Sequence, residues 1–203
     1  MSARSMFTSL GILFFLASPV VAGDELVKIR WEFAGAFQQN LARVGPPPAA
    51  VTTNVGRANI IHVEAIGKPG RATVLVGGGG GAAIDPPADF PPPDLLVDPC
   101  EGLSTIPFPA ENSFIATLHD DLSLLWGARD AASASFLCTD PATGLTHGVI
   151  YIVFKSGTGR FAGATGRGII TFHAESVVAG SSLSVDSGTI TGTIRVSDGD
   201  DGD

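Results

Sequence analysis

Apolar and polar positions alternate with period two in almost every patterned stretch between Val27 and Val196. The segments 27–37 (VKIRWEFAGAF), 58–66 (ANIIHVEAI) and 70–77 (GRATVLVG) alternate or run β-branched between turn signals. The pattern resumes at 113–118 (SFIATL) and, beyond a His119-Asp120 turn, at 121–127 (DLSLLWG). It continues through 132–138 (ASASFLC), 147–154 (HGVIYIVF), 167–174 (RGIITFHA) and 183–196 (LSVDSGTITGTIRV). Clusters of Gly, Pro, Asp and Ser separate these segments, and no stretch carries apolar residues at helical spacing over three turns. The reading is an all-β domain over 23–196, a barrel or a sandwich, with antiparallel hairpins in its second half.

Two breaks interrupt the alternation. Pro46-Pro47-Pro48 forms a stiff connector. A longer excursion over 77–112 opens with the glycines Gly77 to Gly81 and carries DPPADFPPPDLLVDPCEG. Loops of this length within a compact domain are uncommon and are usually mobile or functional. We expect an insertion over one barrel end, held by Cys100. The acidic tail 197–203 (SDGDDGD) lacks the spacing and bidentate Glu of a calcium loop and is read as solvated.

The amino terminus sets the compartment. Arg4, the apolar run Leu10 to Ala17, the break at Ser18-Pro19, and Val20 and Ala22 before Gly23 form the pattern of a secretory signal peptide over 1–22. The apolar run is too short for a retained span. No Cys follows it, so lipidation at the cut is excluded. The expected location is secreted or periplasmic, with no membrane span after cleavage. Cleavage would leave the chain one unit more negative than its full-length charge of −8. An acidic chain has no footprint for a phosphate backbone, so no nucleic-acid partner is expected.

Export makes a disulfide the default for the two cysteines, Cys100 and Cys138, with two buried free thiols as the alternative. The histidines His62, His119, His147 and His173 show no CxxC, HxH or HExxH spacing, so no metal or cofactor is expected. His62 and Glu64 share a strand face and could act as an acid–base pair, although such residues usually face water. His119 falls in a turn. His173 is read as a core or rim residue, and Trp31 and Trp126 as core anchors. Tyr151 has no recognisable base beside it, and no GxSxG elbow occurs.

The most distinctive stretch is GTGRFAGATGRG, Gly157 to Gly168. Its GxGxxxG spacing lies between strands, whereas dinucleotide binding needs GxGxxG opening a helix. Gly157, Gly159, Gly163 and Gly166 are therefore read as a structural turn anchored by Phe161.

With the downstream strand IITFHAE and the closing GTITGTI, this turn resembles the C-terminal hallmark of bacterial secreted proteins related to the allene oxide cyclase and dirigent barrels. Those proteins carry a Gly-Thr-Gly-(Arg/Lys)-Phe turn and a small-residue GAxG step before one of the last barrel strands. The upstream GRATVLVGGGG and the order of ATLHDDLSLLWG before GVIYIVF are compatible with the same succession. The resemblance implies an eight-stranded antiparallel barrel with a central cavity, and often self-association. It does not imply catalysis. The early Asn-Glu-x-Asp-Arg motif of plant allene oxide cyclases is not visible, and Glu32 is the one carboxylate in a comparable early strand. The expected function is that of an exported, non-enzymatic barrel that binds a small apolar, uncharged ligand or self-associates. The alternative is a cyclase- or isomerase-like enzyme using the same cavity.

Overall fold

β-Branched and aromatic residues at alternate positions favour extended backbone and give each strand one apolar face to bury. A computed structural model describes residues 25–38, 41–44, 51–54, 59–78, 83–95, 100, 103, 105–107, 112–140, 142–178 and 183–196. Residues 1–22, expected to be a signal peptide, and the acidic tail lie outside the described residues.

The strands are β1 (Glu25–Gln38), β2 (Leu41–Val44), β3 (Val51–Asn54), β4 (Asn59–Lys68), β5 (Ala72–Gly78), β6 (Thr105–Pro107), β7 (Asn112–Leu118), β8 (Leu124–Arg129), β9 (Phe136–Thr139), β10 (Thr146–Gly157), β11 (Thr165–Ser176) and β12 (Leu183–Val196). The order β11-β12-β1-β4-β5-β7-β8-β10 is antiparallel throughout, and β10 pairs back onto β11. The result is a closed eight-stranded antiparallel barrel. Closure removes the unpaired edges that an open sheet would expose. β9 pairs with the first residues of β10, where β8 has ended, and β6 extends the wall beyond β9. The pattern showed no strand between 38 and 57, yet β2 and β3 pair there as a separate hairpin.

Register fixes which residues face inward. On β1, Ile29, Trp31 and Phe33 are buried while Lys28, Arg30 and Glu32 are exposed. On β12 the inward set is Ser184, Asp186, Gly188, Ile190, Gly192 and Ile194. The inward aliphatic and aromatic side chains of β1, β5, β7, β8, β10, β11 and β12 form one core cluster, with Ala65 of β4.

The segment 83–95 of the excursion does not lie over a barrel end. It runs along the outer wall, where Ile84 pairs with Asp130 and Phe90 is buried. The physical reason is an ion pair on that wall. Arg167, on the outward face of β11, donates from Nε to Asp130 Oδ2 at 3.0 Å and from Nη1 to the Phe90 carbonyl at 2.8 Å. Both charged side chains are buried. Such a pair is retained only where further hydrogen bonds satisfy it. Ser133 Oγ and the Ala132 amide supply them. Cys100 is disulfide-bonded to Cys138 on β9, with a Cα–Cα distance of 5.5 Å. Among the described residues no helix is long and apolar enough to cross a membrane.

Candidate functional site

The two ends of the barrel differ. At the end where β10 turns into β11, a short 3-10 turn over Gly159–Phe161 carries Phe161 inward, 1% exposed. Trp31, Leu118, Leu125 and Ile194 belong to the same packed cluster. Trp31 Nε1 donates to the Gly70 carbonyl at 2.7 Å, so the indole is satisfied although buried. Phe114 and Phe154 meet edge to face, with centroids 5.6 Å apart. Side chains fill the lumen here.

The turn itself is built for that plug. Gly159 and Gly163 have φ of +56° and +67°, a region that L side chains rarely enter. A Cβ on Gly157 would meet the Leu124 carbonyl and Phe161, and one on Gly166 the Thr193 carbonyl. Arg160 pairs with Asp120 and, from Nε at 2.7 Å, with Asp121 Oδ2, tying the turn to the β7–β8 connection. The Arg160 guanidinium holds the Asp121 carboxyl down at about 2, with help from the Ser123 amide. No ligand chemistry is needed to account for these residues.

Toward the other end the inward face of β12 changes from aliphatic to polar. Asp186 is 3% exposed, and its register partners are Gly35 on β1 and Ala174 on β11. Neither neighbour carries a side chain larger than a methyl group. Ser184 Oγ donates to Asp186 Oδ1 at 3.0 Å. Oδ2 finds no hydrogen-bond partner among the described residues. Burial pushes the carboxyl up to about 6, and the Ser184 hydrogen bond opposes the shift only in part. Buried polar atoms in folded proteins are nearly always satisfied, and an exception calls for a proton, water, ion or ligand. Asp186 is the one buried ionisable side chain on the lumen face among the described residues.

The other sequence candidates are scattered. Glu32 is exposed on the outer wall. His62 lies on β4, and its side chain lies outside the described residues. Glu64 joins residues of β5 and the β7–β8 turn. Thr73 Oγ1 donates to Glu64 Oε1 at 2.9 Å and lies 2.9 Å from His119 Nε2, itself 3.2 Å from Glu64 Oε2. This cluster stands on the convex exposed wall with His119 and Glu64 open to solvent, where a reacting group would not be shielded from water. Trp126, expected in the core, is half-buried on the outer face opposite Ile115. Tyr151 also faces outward and is half-buried. His173 is exposed on the outer face of β11.

A groove of about 300 Å³ runs on the outer wall between Leu26, Thr193 and the strap Phe90 to Asp94. Its polar end is already occupied by the Asp89–Arg195 pair, with Arg195 5.1 Å above the Phe90 ring. Comparison with protein-family models, curated proteins and solved structures finds no match for the chain, so the site is read from its own geometry.

Proposed function

We propose that the chain is an exported, non-enzymatic barrel protein that binds one small apolar molecule bearing a single hydrogen-bond donor. The binding region is the lumen end marked by Asp186. The observation that carries this reading is Asp186 Oδ2, which has no hydrogen-bond partner among the described residues and faces inward between Gly35 and Ala174, with Ser184 on the same face. Ligand sites combine an apolar lining with a few placed polar groups, and Asp186 with Ser184 would supply the polar groups here. Export is supported by the Cys100–Cys138 disulfide and the pattern of residues 1–22. The Gly157 to Gly168 turn supports kinship with the allene oxide cyclase and dirigent barrels. Self-association would use the outer wall, where Leu75 and Ile115 stand opposite one another and are each 41% exposed.

One observation favours the enzymatic alternative. A buried carboxyl shifted to about 6, with Ser184 in hydrogen-bond reach, has the properties of a general acid or base working near neutrality. Turnover of an unsaturated epoxide, abolished in Asp186→Asn, would establish that reading over simple binding.

A thermal-shift screen tests the proposal. Small apolar alcohols and amides should raise the unfolding midpoint of the wild-type protein and leave Ala174→Leu unmoved, because the added side chain would fill the proposed site beside its register partner Asp186. Stabilisation by acidic metabolites with none by apolar donors would reject it.

A further inference from the structure

His147 on β10 and His173 on β11 are distant in sequence but direct register partners. Both project from the outer face, since their neighbours Gly148 and Phe172 point toward the lumen. Their Nδ1 atoms are 3.1 Å apart, and the rings stand edge to face with centroids 5.1 Å apart. Nitrogens bound to one metal at about 2.0–2.1 Å lie roughly 2.9 Å apart at a right angle and roughly 3.4 Å apart at the tetrahedral angle. The observed separation falls between these two geometries.

The backbone that presents the pair is held on both sides. β10 is paired with β11 on one flank and with β9 on the other, and the β9 partner of His147 is the disulfide-bonded Cys138. His173 is exposed and His147 half-buried, so an ion has an open approach. The acidic chain, with a formal charge of −8, attracts cations generally.

We propose that His147 and His173 form a two-imidazole site for a divalent transition-metal ion on the outer wall of the barrel. Among the described residues no third His, Cys, Asp or Glu completes a cluster of three, so water fills the remaining coordination positions. Neutral imidazoles suit Cu²⁺, Ni²⁺ and Zn²⁺, with Cu²⁺ bound most tightly of the three. The ion clamps β10 to β11.

The test is calorimetric titration of Cu²⁺, Ni²⁺ and Zn²⁺ into the full chain and into His147→Ala and His173→Ala, with circular dichroism confirming the fold of each. Wild type should bind one ion, and either variant should lose affinity by about tenfold or more. The metal should also raise the unfolding midpoint of wild type but of neither variant. His173 is exposed, so its truncation leaves the core untouched even if His147→Ala is less stable. Equal binding by wild type and His173→Ala would overturn the proposal by assigning the ion to surface carboxylates. Absence of saturable binding by wild type up to about 1 mM metal would overturn it too, leaving an N–H···N hydrogen bond between neutral rings.

Discussion

Asp186 couples the proposed site to the stability of the barrel. Its carboxyl is raised from 3.8 to about 6 on folding, so the folded state binds the proton more tightly than the unfolded chain. The favourable contribution is fully present below about pH 4 and is lost as the pH rises through about 6. A shift of this size corresponds to at most about 3 kcal/mol. Asp121, Asp89 and Asp140 are lowered instead, by Arg160, Arg195 and the Ala142 amide respectively, and their stabilising effect is lost below about pH 4. The two windows are therefore separate. Urea unfolding of wild type should show stability falling between pH 4 and pH 6, and Asp186→Asn should flatten that slope; equal slopes would mean that the carboxyl titrates as it does in water. Phe161 is the second informative residue. Truncation to Ala should cost about 3–5 kcal/mol through the cavity it leaves at the plugged end. An unchanged unfolding midpoint in Phe161→Ala would show that the turn does not close the barrel.

Among the elements, the excursion and its disulfide make the clearest energetic claim. Cys100 and Cys138 are 38 residues apart, and closing a loop of that length restricts the unfolded chain by about 4 kcal/mol on the chain-entropy account. Cys100→Ala with Cys138→Ala, followed by thermal unfolding, should show a midpoint several degrees lower; no change would mean that the Asp130–Arg167 pair and Phe90 hold the strap unaided. Much of this level was legible in sequence. Alternation located β1, β4, β5, β7, β10, β11 and β12 closely because each has one face to bury. The β2–β3 hairpin was not legible, since LARV and VTTN are too short to show a period beside three prolines. Alternation also leaves open which face turns inward, so Trp126 was expected in the core although β8 points it outward. Asp186 did leave a signal: it stands in phase with Ile190 and Ile194, and an acid on the apolar phase of a strand is where a buried ionisable group is to be sought. The Glu64–Thr73–His119 and His147–His173 contacts had none, because both arise only from strand order and register.

At the scale of the whole molecule, the barrel is filled from the Phe161 end, and toward the other end the inward face of β12 carries Ser184 and Asp186 between the small Gly35 and Ala174. An eight-stranded barrel is just wide enough to be packed by its own side chains or to hold one small ligand. Under the proposed function the chain combines the two along its axis. The function proposed here depends on Asp186 being a docking group rather than a buried defect. The most direct measurement is calorimetric titration of a matched pair of small apolar compounds, one with a terminal hydroxyl and one without, into wild type and Asp186→Leu. The account predicts binding of one hydroxyl compound per wild-type chain, at least about tenfold tighter than its apolar counterpart, with that preference lost in Asp186→Leu. Equal affinity of both compounds for both proteins, or binding of neither to wild type, would contradict it.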